Sequence, residues 1–160
     1  MNELPHIGQV LSLNARVFPS KVGARDLTRT LTFAQWNARA CRLANGLLGL
    51  GLAKGDRLAV LAYNCVEWLE IYAAAAKAGV IAVPINFRLV GPEIRYIAQN
   101  CEARAFMVQD ELVARAEEVR GELDIPAANW ILLGGAPRAG WSPYEDLLSE
   151  IGRASCRERV

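Results

Sequence analysis

Glu67 and Glu70 are the first residues in this sequence whose types and spacing could do chemistry. They are three residues apart, so on a helix they would share one face. Two carboxylates on one face can transfer protons or hold a metal ion. Trp68, Leu69 and Tyr72 crowd the same segment, which favours a solvated polar stripe beside a buried apolar one. We therefore predict that both carboxylates face solvent.

Two further polar positions could belong to a site. His6 is the only histidine, and no Ser/Asp partner set can be assembled around it from spacing, so we expect it to lie exposed near the N-terminus. Asn86-Phe87-Arg88 follows an apolar strand, where α/β sheets bind ligands. The segment is either a loop near a site or a turn fixed by Arg88 bonding to backbone, and we favour the turn.

Two glycine-rich segments resemble phosphate loops in composition but not in context. Gly49–Gly55 runs from a helix into a strand, whereas a dinucleotide loop runs from a strand into a helix. It is therefore predicted to be a helix C-cap and turn. Gly134–Gly140 does follow a strand, but it lacks the Gly-Lys-Ser/Thr ending of a phosphate loop. Trp141-Ser142-Pro143 comes next instead of a helix start, so we predict a surface connection.

Composition narrows the class of protein. The 160 residues are 52% hydrophobic with a net charge of +1, which gives no electrostatic case for nucleic acid or an acidic membrane surface. No apolar run reaches the ~20 residues that span a bilayer, and Met1–Pro5 lacks the features of a signal peptide. We expect a cytoplasmic protein without a transmembrane segment.

The four cysteines are widely spaced and form no C-x-x-C pair. They are Cys41, Cys65, Cys101 and Cys156. A disulfide framework or a zinc site is therefore disfavoured, and the first three are predicted to be buried free thiols.

The elements that must position these residues begin with a strand–helix–strand unit. Arg57–Leu61 is a short apolar strand. Asn64 is the expected N-cap of a helix over residues 66–77, and Gly79 its left-handed C-cap. Val80–Val83 is a second strand, which Pro84 should end because proline cannot donate to a ladder. The unit is predicted to be a right-handed βαβ crossover.

The same patterns extend over the rest of the chain. Thr32 and Gln35 form a capping box for a helix that reaches about Leu50, and Pro92 begins a helix that ends near Asn100. The remaining predicted elements are helices over 6–18, 112–122 and 144–149, a strand pair over 25–32, and strands over 105–108 and 130–133. Alternating strands and helices predict an α/β fold, a partial doubly wound and mostly parallel sheet with helices on both faces.

Three stretches resemble the N-terminal part of AMP-forming acyl-CoA synthetases, within the adenylate-forming superfamily. Leu31–Trp36 is similar to that family's Leu-Thr-Tyr-x-Glu-Leu. Gly55–Leu61 with Asn64 and Glu67 resembles its Gly-Asp-Arg-Val-Ala strand and Asn-x-x-Glu helix start. Ala76–Asn86 resembles its Leu-Lys-Ala-Gly-Ala-x-x-Val-Pro-Leu-Asn block. The three occur in the family's order and spacing.

The resemblance implies an acid–thiol ligase. The parent enzyme would use ATP, Mg²⁺ and coenzyme A to turn a carboxylic or fatty acid into an acyl-adenylate and then an acyl-CoA. The family's Ser/Thr/Gly-rich loop ending in Pro-Lys-Gly, its later Thr-Glu pair, its ribose-binding Asp, its Arg and its C-terminal lysine have no matching positions in this sequence. No catalytic, cofactor-binding or metal-binding residue is therefore assigned, and the chain itself is expected to be inactive.

The sequence predicts a boundary between residues 149 and 150. Residues 1–149 are predicted to be an incomplete N-terminal AMP-binding domain. Residues 151–160 match a reading frame of a common sequencing-library adapter, ATC GGA AGA GCG TCG TGT AGG GAA AGA GTG, so 150–160 is predicted to be an adapter-derived tail. Sequencing the genomic locus across codon 150 tests this, since ten contiguous native codons followed by a stop would refute it.

Three alternatives stay open at this stage. The chain could be a non-catalytic α/β module that pairs with other subunits through its sheet edge or an apolar helix face. It could be an unrelated nucleotide-binding doubly wound domain, or a fragment of another adenylate-forming enzyme. The acyl substrate and a homo-oligomeric state are left open.

Overall fold

A computed structural model describes residues 7–149. His6 and the tail from residue 150 lie outside the described residues, so the predictions about them stay predictions. Along the chain the elements are α1 (Ile7–Val17), β1 (Val22–Arg25), β2 (Thr30–Thr32), α2 (Phe33–Gly49), β3 (Arg57–Leu61), α3 (Glu67–Ala78), β4 (Ile81–Ile85), α4 (Gly91–Asn100), β5 (Ala103–Gln109), α5 (Val113–Arg120), β6 (Trp130–Leu133), β7 (Ser142–Pro143) and α6 (Tyr144–Ser149).

The five strands from β3 to β7 form one parallel sheet. Their spatial order is β4-β3-β5-β6-β7, and β3 pairs Ala59 with Val83 of the edge strand β4 on one side and with Phe106 of the central strand β5 on the other. β1 and β2 form a separate antiparallel pair. The predicted fold class and the βαβ crossover from β3 through α3 to β4 are confirmed.

Each face of the sheet has its own core. Leu58 and Val60 of β3 point to a core shared with α2, α3 and α6, whereas Ala59 and Leu61 point to one shared with α4 and α5. Four of the five residues of β3 are buried, as predicted for a strand covered on both faces.

The start of α3 differs from the prediction. The N-cap is Val66, and Asn64 makes no cap. Instead, the Asp26 Oδ2 atom accepts a hydrogen bond from the Val66 N–H at 3.0 Å. Its Oδ1 atom accepts the N–H groups of Thr28 and Arg29 at 2.8 and 2.7 Å, which closes the β1–β2 turn. One carboxylate therefore joins the hairpin to the crossover helix.

We expect this carboxylate to make stability depend on acid pH. Hydrogen bonds from Thr28, then from Arg29, lower the pKa of Asp26 from 3.8 to about 2. Because the pKa of Asp26 is lower in the folded state than in the unfolded state, its carboxylate stabilises the fold at pH values above the unfolded-state pKa. This contribution is lost as pH falls from about 4 towards 2. Urea unfolding midpoints measured over this range should fall more for the parent than for Asp26→Asn. The exposed control Asp124→Asn should follow the parent, and equal profiles for all three proteins would contradict the expectation.

Pro84 does not end the second strand, because it lies inside β4 opposite Val60. The Ile81 N–H donates to the Asp56 carbonyl at 2.8 Å. Because N–H groups alternate in direction along a strand, those of residues 81, 83 and 85 point towards β3. The Pro84 nitrogen then faces the open edge of the sheet, where a missing N–H costs no ladder bond.

Most other predicted elements are confirmed. The Thr32–Gln35 capping box forms with bonds of 3.2 and 2.9 Å, and Gly79 is left-handed with φ 73°. The Gly49–Gly55 segment is a helix end and turn. β7 was not predicted, because it is two residues long and lies in a Gly/Pro-rich stretch. No helix within residues 7–149 has both the length and the apolar character needed to cross a membrane.

Candidate functional site

The carboxyl ends of the parallel strands meet at one edge of the sheet. Strands β3 to β6 end at Leu61, Ile85, Gln109 and Leu133. Ligands of open α/β sheets bind outside this edge, among the loops that follow the strands. This edge is therefore the candidate site.

A groove of about 470 Å³ lies at this edge, between the start of α3 and the end of β4. Two loops contribute its amides, Asn64 and Asn86. Trp68, Tyr72 and Phe87 form an aromatic wall, and Trp68 stacks on Tyr72 with ring centroids 5.3 Å apart. Small-molecule sites commonly combine an apolar wall with a few polar groups. The groove has this character.

Contacts between neighbouring loops hold the groove in shape. Tyr63 meets Phe87 edge to face, with ring centroids 4.8 Å apart. Its N–H donates to the Gln109 Oε1 atom at 2.8 Å, and its carbonyl accepts the Trp68 Nε1–H at 2.9 Å. The segment after β3 is thus joined to the ends of both neighbouring strands.

The Asn86-Phe87-Arg88 turn forms, but Arg88 does not fix it as predicted. The Arg88 N–H donates to the Asn86 Oδ1 atom at 2.9 Å, and the guanidinium of Arg115 donates to the carbonyls of Phe87 and Leu89. The Arg88 guanidinium lies 5.6 Å from the Phe87 ring centre and is exposed. Within residues 7–149 no carboxylate pairs with it, so this cation remains available to an anionic group.

The Gly134–Gly140 loop is a surface connection, as predicted. Gly134 and Gly135 have φ of 75° and 70°, and a Cβ at Gly135 would clash with the Asp110 carboxyl group. Asp110 also pairs with Arg138 at 3.2 Å. Arg120 holds the far end by donating to the Gly140 carbonyl. The loop is therefore held at both ends by the protein's own side chains.

Glu70 is fully buried, which makes the prediction of a solvated carboxylate wrong. Its Oε1 atom accepts from Arg29 Nη2 at 2.6 Å and Arg39 Nε at 2.7 Å. Its Oε2 atom accepts the Tyr144 hydroxyl at 2.6 Å. Glu67 is half-buried and pairs with Arg29 Nη1 at 2.9 Å. We call the residues Arg29, Arg39, Glu70 and Tyr144 the Glu70 cluster.

The Glu70 cluster joins elements rather than forming a reactive site. Burial, then the charge of Glu70, raises the pKa of Tyr144 well above its usual value, so the phenol stays a donor. Burial alone would lower the pKa of Arg39, but its bonds to Glu145 and Glu70 outweigh this and raise it. Glu70 has no solvent exposure, and its oxygens accept from Arg29, Arg39 and Tyr144, so a substrate cannot reach it.

Among residues 7–149 there is neither an activated thiol nor a metal-binding cluster. Cys65 and Cys101 are free and half-buried, and burial, then Glu67, raises the pKa of Cys65 to about 12. That thiol is therefore protonated and unreactive at neutral pH. Cys41 is buried, as predicted. The part of the chain that the structure describes has no group of three His, Cys, Asp or Glu side chains that could hold a metal.

A family model described as AMP-binding enzyme matches residues 11–152. Among curated relatives, indoleacetate–CoA ligase of Aromatoleum aromaticum is 32% identical over 152 residues, which are 95% of this chain and 29% of the relative. Long-chain-fatty-acid–CoA ligase FadD13 of Mycobacterium tuberculosis is 39% identical over 103 residues, which are 63% of this chain and 20% of the relative. The chain thus spans less than a third of the length of these relatives.

Solved structures agree with the sequence relatives. The anthranilate CoA ligase AuaEII, in complex with anthranoyl-AMP, superposes with a TM-score of 0.85 at 30% identity, over 91% of this chain and 29% of that one. A protein from Rhodopseudomonas palustris described as a putative long-chain-fatty-acid CoA ligase superposes with a TM-score of 0.82 at 30% identity, over 90% of this chain and 36% of that one.

Proposed function

The chain belongs to the AMP-binding enzyme family of the adenylate-forming superfamily, and on that premise we propose that it is the N-terminal part of an AMP-forming acid–thiol ligase. The parent enzyme would join a carboxylic acid to the α-phosphate of ATP with release of pyrophosphate, and then transfer the acyl group to the thiol of coenzyme A. The observation that carries this proposal is the match of residues 11–152 to the family.

Within that reaction, the described residues contribute the framework and one wall of a site. The groove after β3 and β4 offers the amides of Asn64 and Asn86 beside an aromatic surface. Arg88 stands next to it as an exposed cation without a carboxylate partner among residues 7–149. Arginine binds phosphate groups well because its planar donors fit their oxygens. We therefore propose that this edge faces the phosphate-bearing substrates of the parent.

The chemical step needs more charge support than the exposed cation of Arg88 gives. Acyl-adenylate formation develops negative charge on phosphate oxygens, which donors, cations and a magnesium ion stabilise. The described residues offer no cluster for that metal, so no step through it is assigned to them. The family's phosphate loop and C-terminal lysine have no counterpart in this sequence. We propose that the 160-residue chain is inactive and that its parent works in the cytoplasm.

Pyrophosphate release tests both halves of this proposal. The purified chain, mixed with ATP, Mg²⁺, coenzyme A and a panel of fatty and aromatic acids, should release no pyrophosphate in response to acid. A long-chain acyl-CoA ligase run in parallel serves as the positive control. Acid-dependent release by the 160-residue chain would overturn its inactivity. The full-length protein, expressed from the gene with its downstream reading frame, should release pyrophosphate when the acid is added. If it does not, the proposed activity of the parent is wrong.

A further inference from the structure

Arg115 of α5 is a half-buried cation that pairs with no carboxylate among residues 7–149. Its guanidinium donates to backbone carbonyls instead. Moving a charged group out of water is costly unless an opposite charge or hydrogen bonds replace the water. Carbonyl oxygens supply the hydrogen bonds, but they do not cancel the charge. The role of Arg115 therefore lies with the loop to which these carbonyls belong.

The two carbonyls lie on either side of Arg88 in the loop between β4 and α4. The Nη1 atom of Arg115 donates to the Phe87 carbonyl, and it also donates to the Leu89 carbonyl at 3.3 Å. Arg88 is the residue between these two. One side chain of α5 therefore holds the backbone both before and after Arg88.

Local hydrogen bonds give the turn its shape but do not tie it to the rest of the fold. The Leu89 N–H donates to the Asn86 carbonyl at 3.0 Å, and the Arg88 N–H donates to the Asn86 Oδ1 atom at 2.9 Å. Both bonds join residues two or three positions apart. Arg115 is 28 and 26 positions from its two acceptors, so its bonds fix the turn relative to another element.

Arg88 is the side chain that gains a defined position from this support. Its guanidinium is exposed and lies 5.6 Å from the centre of the Phe87 ring. The Phe87 ring in turn meets Tyr63 edge to face, with centroids 4.8 Å apart. A long side chain loses conformational freedom when it binds an anion, and a support that orients it beforehand reduces that cost.

We propose that Arg115 is a positioning residue, which holds the Asn86–Leu89 turn so that the Arg88 guanidinium is oriented to receive a phosphate group of the substrate. This inference rests on the proposed function, which places phosphate-bearing substrates at this edge. Arg88 makes the contact, and Arg115 acts through the backbone of the turn. A purely structural role would account for the same two hydrogen bonds, but it predicts no change in anion affinity when a variant of Arg115 is folded.

Titration of the 160-residue chain with tripolyphosphate tests the proposal. This probe offers phosphate groups without an adenine ring, an acyl chain or a metal ion. Amide chemical shifts measured by NMR report its binding, and the largest changes should fall on the Asn86–Leu89 turn. Arg88→Gln should weaken binding about tenfold, as expected for the loss of a charge-assisted hydrogen bond. Arg115→Leu should weaken binding about as much, with a far-UV circular dichroism spectrum that stays that of a folded chain.

Three matched variants separate positioning from direct contact and from net charge. Arg115→Lys keeps a cationic donor to the two carbonyls and should stay within about threefold of the unmodified chain. The control Arg104→Gln removes an exposed arginine of β5 and should stay within about twofold. Added to Arg88→Gln, Arg115→Leu should cost less than about a further twofold, because the side chain that it orients is gone. A full additional loss would mean that Arg115 meets the anion itself, which overturns the positioning role.

Amide hydrogen exchange gives a second measurement, which needs no ligand. The Leu89 amide donates to the Asn86 carbonyl inside the turn, and it should exchange at least about tenfold faster in Arg115→Leu than in the unmodified chain. Arg88→Gln should leave this rate unchanged, since the Arg88 side chain does not hold the turn. An unchanged rate in Arg115→Leu overturns the positioning role.

The outcomes also separate this inference from the proposed function. If Arg88→Gln loses affinity for tripolyphosphate while Arg115→Leu keeps it, the positioning role is wrong and the phosphate-facing edge remains supported. If the unmodified chain does not bind tripolyphosphate, or if Arg88→Gln binds it equally well, the phosphate contact proposed for Arg88 is wrong and the role of Arg115 is wrong with it. The ligase activity of the parent is tested apart from both, by pyrophosphate release.

Discussion

Replacing Glu70 with alanine is expected to destabilise the chain by about 3 kcal/mol, the lower end of the ~3–5 kcal/mol seen when one partner of a buried ion pair is removed. The carboxylate has no solvent exposure, and its removal leaves Arg29 and Arg39 without their shared acceptor. The lower end applies because the side chains of Arg29 and Arg39 keep 33% and 20% exposure, so water partly replaces the lost partner. Urea unfolding followed by circular dichroism measures the change.

Glu67→Ala is the matched control for this substitution. Glu67 lies on the same helix and pairs with Arg29, but its charge is partly solvated, so the loss should stay below about 1 kcal/mol. Equal destabilisation by Glu67→Ala and Glu70→Ala would contradict the role given to the buried carboxylate.

A double-mutant cycle with Tyr144→Phe separates the hydrogen bond from the ion pairs. Tyr144→Phe alone removes the donor to the Glu70 Oε2 atom and should cost about 1–3 kcal/mol. Added to Glu70→Ala it should cost much less, because its acceptor is already gone. Additive losses would mean that the two side chains do not act as a unit.

The Glu70 cluster also explains where sequence reasoning succeeds and fails. Local signals were sufficient for the strand Arg57–Leu61, the Thr32–Gln35 capping box and the left-handed Gly79, because each depends on residues close together in sequence. The partners of Glu70 are 41, 31 and 74 residues away. No local sequence pattern predicts a cluster of residues so far apart in sequence.

One signal could have placed Glu70 inside. Ile71, Ala74, Ala75 and Ala78 are the other buried residues of α3, and Glu70 precedes Ala74 by four positions, so it lies on the same helix face. The three-residue spacing of Glu67 and Glu70 instead predicts one polar face that both share. The packing of α3 against α2 decides the matter, and it is set by tertiary structure.

The same limit applies at the carboxyl edge. That a site lies after the strands follows from the α/β pattern. The cap supplied to Val66 by Asp26 and the support given to the Phe87 carbonyl by Arg115 join residues 40 and 28 positions apart. The predictions that Asn64 is an N-cap and that Arg88 fixes the turn were wrong for the same reason. In each case a residue from another element makes the hydrogen bond instead: Asp26 accepts the Val66 N–H, and Arg115 donates to the Phe87 carbonyl.

Trp130→Ala is expected to be the most damaging substitution on the other face of the sheet, with a loss of about 3–5 kcal/mol. Trp130 is 2% exposed and has the largest volume of the fully buried side chains among the described residues. Its ring stacks on Phe106 at 5.1 Å and meets Trp141 edge to face at 5.6 Å. Truncation would leave a cavity that both neighbouring strands border, and packed strands relax little to fill such a space.

The expected result has a second part, because Trp130 also supports the cation that holds the Gly134–Gly140 loop. The Arg120 guanidinium lies 4.9 Å from the centre of Trp130 and 4.8 Å from that of Trp141, and it donates to the Gly140 carbonyl. Arg120→Leu should therefore speed amide hydrogen exchange in the loop while lowering the unfolding free energy far less than Trp130→Ala does. Trp130→Phe, which keeps an aromatic face for Arg120, should retain slow loop exchange despite a smaller core. Fast loop exchange in Trp130→Phe, or slow exchange in Arg120→Leu, would contradict the coupling between this aromatic core and the carboxyl edge.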